Sequence, residues 1–181
     1  MRGALITTGS LIALFYVPML IEARRAAANE RAQRASGGIQ PEADIPIYTM
    51  MQAAYPGAFA AMLAEGWLRG NAPRAMLIAG LTCFAVSKAV KWWAILTLGR
   101  FWTFRVVVVP DAPLVRRGPY RFLSHPNYVA VVGELAGAGL MTGAAVCGPL
   151  AVVLFGMLLK RRIAVEEEAL ASSARHPPCS L

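Results

Sequence analysis

Residues 118–170 read GPYRFLSHPNYVAVVGELAGAGLMTGAAVCGPLAVVLFGMLLKRRIAVEEEAL. Two apolar runs, Tyr128–Leu140 and Ala144–Leu159, meet at Met141-Thr142-Gly143, and polar, proline-bearing or charged stretches close both outer ends. Each run is short for a hydrocarbon layer of about 30 Å at about 1.5 Å rise per residue. The pattern predicts a tight helical hairpin. Gly133 and Gly137 are one helical turn apart, with Gly139, Gly143 and Ala144 following. Small residues at that spacing let helix backbones approach closely. Gly137-Ala138-Gly139 is not a dinucleotide fingerprint, because no strand–turn–helix surrounds it.

The rest of the chain extends this reading. Of its 181 residues 57% are hydrophobic and only 15% charged, against about a quarter charged in an ordinary soluble domain. Mean hydropathy is +0.51. Gly3–Ile21 is an uncharged apolar run. It is long for a signal peptide and lacks a small-x-small cleavage site, so it reads as a first membrane helix. Residues 22–44 read as a polar loop, partly helical over Ala26–Ala35. Ile45–Leu63 is a second apolar segment, with Pro46 suited to a helix start and Pro56 implying a kink. Glu65–Arg74 reads as a short turn. Ala75–Leu98 is a third segment, whose Lys88, Lys91, Trp92 and Trp93 have the composition of a helix end at the headgroups. In the connection 99–127, Val106–Val109 is either a short strand or an extended interfacial segment. The expectation is an all-α membrane protein of about five embedded helices in a single domain, 1–181. Residues 1–98 form three N-terminal helices, 99–170 the motif region, and 171–181 a tail.

The net charge of +8 does not read as a nucleic-acid footprint, because no basic, aromatic-interleaved soluble module is present. The basic residues sit beside apolar runs, as on a cytoplasmic membrane face. With the N-terminus outside, five segments place Arg24, Arg25, Arg31 and Arg34, then Arg100 to Arg121, then Lys160–Arg162 near the cytoplasm. That predicts a multi-pass protein with a cytoplasmic C-terminus. Cys83, Cys147 and Cys179 lack metal-site spacing, and Cys179 is one position off a prenylation box.

Three groups of residues carry chemistry. Gly118–Tyr128 is either a proline-punctuated interfacial loop or a fold over a polar ligand at the membrane surface. In the second case His125 donates or accepts hydrogen bonds near neutral pH. Tyr120 and Tyr128 offer aromatic faces suited to a cation. Lys160–Leu170 is either a solvated helix end or a ligand site, with Arg162 and Glu166 on one face. Glu134 lies within an apolar segment, where a carboxylate is costly and is a functional candidate. It is otherwise a hydrogen-bonded packing residue.

Gly118 to Tyr128 resembles the Gly-Pro-Tyr…Arg-His-Pro-x-Tyr motif of the isoprenylcysteine carboxyl methyltransferase family, and Arg162 to Leu170 resembles its Arg-x-x-x-Glu-Glu-x-x-Leu motif. The resemblance covers about residues 86–170. The stretches Leu98–Thr103 and Pro110–Gly118 also look like a bacterial branch that methylates polyketide-derived lipids such as alkylpyrones and phenolic lipids. It implies S-adenosylmethionine as methyl donor, with Tyr120, His125, Pro126 and Tyr128 bordering it. Glu166 or Glu167 would hold its ribose or amino-acid end. Arg162 would face the acceptor, and His125 or Glu134 would accept a proton where the acceptor is a hydroxyl. The implied partners are the bilayer and a lipophilic acceptor, either a polyketide-lipid hydroxyl or an S-isoprenylcysteine carboxylate. A phospholipid amine, or a non-catalytic scaffold or transport subunit retaining the fold, are the alternatives. Ser124 stands where the family has arginine, and the tail after Leu170 departs from the family's Tyr- and Arg-rich end.

Overall fold

The structure, a computed structural model, describes residues 8–70, 72–109 and 115–175. Five helices carry the fold: α1 (Thr8–Ala35), α2 (Asp44–Arg69), α3 (Arg74–Leu98), α4 (Pro126–Thr142) and α5 (Cys147–Arg175). Short 3-10 turns occupy Gly99–Phe101 and Gly118–Arg121. Among the described residues the valine segment makes only an isolated antiparallel bridge, between Ile39 and Val108. The four valines are therefore an extended segment and not a strand of a sheet.

The helices run further than apolar composition suggests. Residues 22–35 continue α1: the helix expected over Ala26–Ala35 is present, and 22–25 join it to the first segment instead of forming a loop. Alanines favour the helix, the Glu30–Arg34 pair at 2.9 Å supports its last turns, and Glu22, Ala26, Glu30 and Gln33 bury one face. Likewise α2 runs on through Glu65 to Arg69, so the turn before α3 begins at Gly70. Lys88 and Lys91 lie inside α3, and Lys91 is buried there instead of reaching headgroups. The hairpin is unequal: α4 has 17 residues and α5 has 29, about 25 Å and 43 Å long. Residues 171–175 continue α5, while 176–181 of the expected tail lie outside the described residues.

Glycines bring α4 against α3. A Cβ at Gly137 would fall 2.7 Å from the Phe84 backbone nitrogen and 2.8 Å from the Gly80 carbonyl oxygen. Gly139 and Gly148 bring α4 and α5 together in the same way. Gly143, at φ +68°, ends α4 in the left-handed conformation that suits glycine. At the start of α5 the Glu65 carboxylate accepts from the backbone nitrogens of Val146 (3.1 Å) and Cys147 (2.7 Å). Hydrogen bonding from the Cys147 amide holds this carboxyl below its ordinary pKa. The apolar core gathers Phe15, Phe59, Phe84, Leu135 and Phe155 from all five helices.

Large apolar side chains also face outward: Val17 and Leu20 on α1, Val86, Trp93 and Leu96 on α3, Leu150, Val153 and Met157 on α5. Among the described residues one helical stretch, Arg74–Phe101, is long and apolar enough on its own to cross a membrane, at a mean hydropathy of 1.4 over its apolar window. The number of embedded helices thus does not follow from length and composition. Charges interrupt the second halves of α1 and α5, and α4 is short.

Candidate functional site

A cavity of about 740 Å³ opens where the N-terminus of α4, the middle of α5 and the connection 98–108 converge. Tyr120, His125, Tyr128, Arg162, Glu166 and Glu167 all line it. Pro126 and Glu134 do not. Pro126 is buried in the first turn of α4, where proline's fixed φ and missing N–H suit a helix start. His125 precedes it as the N-cap residue, which turns its ring toward the cavity side of α4.

The lining residues hold one another in fixed geometry. The His125 and Tyr128 rings stack with centroids 5.3 Å apart and planes 9° from parallel. The Tyr128 hydroxyl donates to Glu166 Oε2 at 2.7 Å and accepts from Arg162 Nε at 2.9 Å. His125 Nε2 lies 3.4 Å from Glu167 Oε1, and Nδ1 lies 3.9 Å from Glu166 Oε2. Tyr120 rides on the turn 118–121, seated against α3 because Gly118, at φ +57°, abuts Thr97. Burial first, and the nearby Glu166 carboxylate second, push its hydroxyl well above the ordinary tyrosine pKa. Tyr120 therefore stays a neutral hydrogen-bonding phenol. Ser124 lines the cavity where the motif has arginine, but Arg105, Arg116 and Arg121 line it too.

One wall comes from a part of the chain that the motifs do not touch. The segment 99–108 is pinned from α1 and the start of α2. Asn29 Nδ2 donates to the carbonyls of Gly99 (2.9 Å) and Trp102 (2.8 Å), and Gln33 Nε2 to that of Arg100 (3.0 Å). Arg105 pairs with Glu30 at 2.6 Å. Asp44 Oδ2 accepts from the Val106 nitrogen at 3.0 Å, and Oδ1 lies 3.6 Å from Arg162 Nη1. The reading of 22–44 as a loop, helical only in part over Ala26–Ala35, left these residues without assigned partners. A helical pattern of polar residues at 22, 29, 30 and 33 was the available signal.

Glu134 belongs to a second cluster. It and Glu22 are fully buried and face Lys88 and Lys91. Lys91 Nζ lies 2.7 Å from Glu22 and 3.3 Å from Glu134; Lys88 Nζ lies 2.8 Å and 3.2 Å from the same two. The Tyr55 hydroxyl also donates to Glu134. Two carboxylates balance two ammonium groups, as burial demands. Lys88 and Lys91, one turn apart in an apolar helix, were the sign that Glu134 would have partners.

The cavity suits S-adenosylmethionine. Its volume falls in the range of about 300–1,000 Å³ typical of small-molecule sites. Glu166 and Glu167 suit hydroxyl and ammonium groups, the arginines a carboxylate, and the stacked rings a sulfonium. Trp102 Nε1 and Asn127 Oδ1, both on lining residues, are buried without a protein partner among the described residues. They are a donor and an acceptor left over for a ligand.

The family model described as the isoprenylcysteine carboxyl methyltransferase family matches residues 78–172. Two curated relatives align along nearly the whole chain. The uncharacterized protein YpbQ of Bacillus subtilis (strain 168) is 30% identical over 161 residues, covering 88% of this chain and 94% of its own. An uncharacterized protein of Haemophilus influenzae is 23% identical over 167 residues, covering 92% and 94%. No solved structure matches the chain.

Proposed function

This chain belongs to the isoprenylcysteine carboxyl methyltransferase family, and on that premise we propose that it methylates an oxygen of a lipid-like acceptor at the membrane surface. The family is membrane-associated and in general transfers methyl groups from S-adenosylmethionine. Our finer reading is a multi-pass protein with its N-terminus outside and its C-terminus cytoplasmic. The donor reaches the cavity from the cytoplasm and the acceptor from the bilayer. The outward-facing apolar residues on α1, α3 and α5 support embedding beyond α3 alone.

The observation that carries this reading is the meeting of both motifs at one cavity, joined by the Arg162–Tyr128–Glu166 hydrogen bonds. Bound there, the donor supplies a methyl group activated on a sulfonium. The residues of the chain do the rest. Glu166 and Glu167 anchor the ribose or amino-acid end. Tyr120 and the stacked His125 and Tyr128 rings border the cation, and Pro126 fixes the helix start that aims them. Arg162 faces the acceptor. Holding two reactants in line and keeping water out is the main demand of methyl transfer. For a hydroxyl acceptor, His125 takes the proton, and Glu167 beside it steadies the imidazolium that results. Glu134 sits deeper, where its lysine partners balance its charge and hold α4 in place.

A polyketide-lipid hydroxyl is our leading acceptor. A prenylated cysteine carboxylate is the second reading, favoured by Arg105, Arg116 and Arg121 on the cavity wall. Labelled methyl transfer to a membrane lipid extract, compared with a farnesylcysteine analogue, separates the two. Label on phospholipid amine would reject both in favour of N-methylation. Calorimetric binding of S-adenosylhomocysteine in detergent tests the site itself. His125→Ala and Glu167→Ala should each weaken it. No binding by the native protein at millimolar ligand would leave only a non-catalytic role.

A further inference from the structure

We infer that Asp44, at the start of α2 and outside the family-matched segment, is a positioning residue that holds Arg162 and the cavity wall 102–108 in the geometry needed to bind the donor. This rests on the reading of the cavity as the donor site.

The argument is a chain of contacts running through one buried carboxylate. Asp44 is fully buried. Its Oδ2 accepts from the Val106 backbone nitrogen at 3.0 Å and from Gln40 Nε2 at 2.9 Å. Its Oδ1 has no hydrogen bond and instead lies 3.6 Å from Arg162 Nη1, a charge pair whose arginine side chain is only 5% exposed. The same guanidinium donates through Nη2 to the Phe104 carbonyl. Through Nε it donates to the Tyr128 hydroxyl, which passes the connection to Glu166. Asp44 thus grips the wall directly at Val106, and through Arg162 at Phe104. It also decides where the Arg162 charge is directed. Glu166 is one helical turn on from Arg162, the spacing at which an arginine and a glutamate pair directly. With the charge at position 44 removed, the guanidinium is free to turn toward Glu166. That contact would draw the carboxylate away from the cavity and release the Phe104 carbonyl.

The test is a double-mutant cycle on the full chain in detergent, using Asp44→Asn, Arg162→Gln and the pair. The Asp44→Asn substitution keeps the size of the side chain and an acceptor for Val106 while removing the charge. Two quantities are read: the dissociation constant of S-adenosylhomocysteine, and amide hydrogen exchange over residues 102–108 relative to α3. Each single substitution should raise the dissociation constant by about 10- to 100-fold, the scale of coupling between residues of one charged network. Each should also speed exchange in 102–108. The double variant should show no further loss, because both act through one contact. If the two losses multiply in the double variant, Asp44 is an independent structural residue and the inference is wrong. Unchanged exchange and unchanged affinity in Asp44→Asn would also overturn it. If the native protein fails to bind S-adenosylhomocysteine, the donor-site reading falls. The exchange cycle then still decides whether Asp44 acts through Arg162 on the wall. Should Asp44→Asn fail to fold, Arg162→Lys, which keeps the charge but loses the fork that reaches Phe104 and Tyr128 together, should reproduce the faster exchange. Exchange at the native rate in that variant would overturn the inference.

Discussion

Replacing Glu134 by glutamine removes one of two buried negative charges and leaves both lysines in place. In the native protein Lys91 is 2% exposed, and Glu22 and Glu134 are fully buried. The glutamine variant therefore sets two ammonium groups, Lys91 buried and Lys88 mostly so, against the single carboxylate of Glu22. Losing one partner of such a pair costs about 3–5 kcal/mol. In a chain of this size each kcal/mol moves the unfolding midpoint by about 2–4 °C. The expected drop is therefore about 6–20 °C, read by thermal unfolding in detergent at about pH 7. Removing a lysine as well should restore neutrality. Glu134→Leu with Lys91→Met leaves Glu22 paired with Lys88 at 2.8 Å and should recover most of the loss. A midpoint within about 2 °C of native for the single variant, or a double variant no better than the single, would refute the reasoning. The same single variant decides a chemical question below its midpoint. If it binds S-adenosylhomocysteine normally and still transfers methyl groups, Glu134 serves the fold. If it binds but transfers nothing, the assignment of Glu134 to the fold alone is wrong.

Gly137→Ala should destabilise by about 1–3 kcal/mol, because the new Cβ meets backbone atoms of Phe84 and Gly80 that cannot swing away. Gly57→Ala is the control, since a Cβ there meets nothing within 4 Å, and its midpoint should hold or rise. Glu65 has a lowered pKa, so its contribution is present above the ordinary carboxylate range and is lost as pH falls through its folded value. Thermal midpoints measured from about pH 7 down to about pH 3 should show an acid loss that Glu65→Gln diminishes. Because Tyr120 is held neutral by burial, Tyr120→Phe should leave the pH dependence of methyl transfer unchanged on the alkaline side. A limb that vanishes in the variant would mean that its phenolate takes part.

Legibility in the sequence followed the kind of interaction involved. The hairpin, its small-residue contacts and the six cavity-lining residues of the motifs could be read directly, because each depends on residue type and local spacing. Gly139 against Gly148 is the clearest case, while the packing of Gly137 on Gly80 and Phe84 of α3 came only with the structure. The helix over Ala26–Ala35 was legible too, but its unbroken continuation from α1 through 22–25 was not, because polarity there reflects partners far along the chain and not exposure. Glu22 meets Lys88 and Lys91, Glu30 meets Arg105, and Asn29 meets Gly99 and Trp102. Lys88 and Lys91 misled for the same reason. Lysine beside tryptophan is the composition of a headgroup boundary, and that reading hid the two lysines as partners for Glu134. Asp44 gave no local signal at all, since its partners include Val106 and Arg162, far along the chain.

The two ends of α2 are both tied to α5. Asp44 meets Arg162 at one end, and Glu65 caps the helix start at Val146 and Cys147 at the other. The two helices run antiparallel, so these ties act as bolts at opposite ends of a beam. Neither helix slides along the other without breaking one of them. Between the bolts sits Pro56, which lacks the N–H that would brace the preceding turn. Pro56→Ala would supply the missing N–H at that point, with slower amide exchange over 52–58 as its measurable sign.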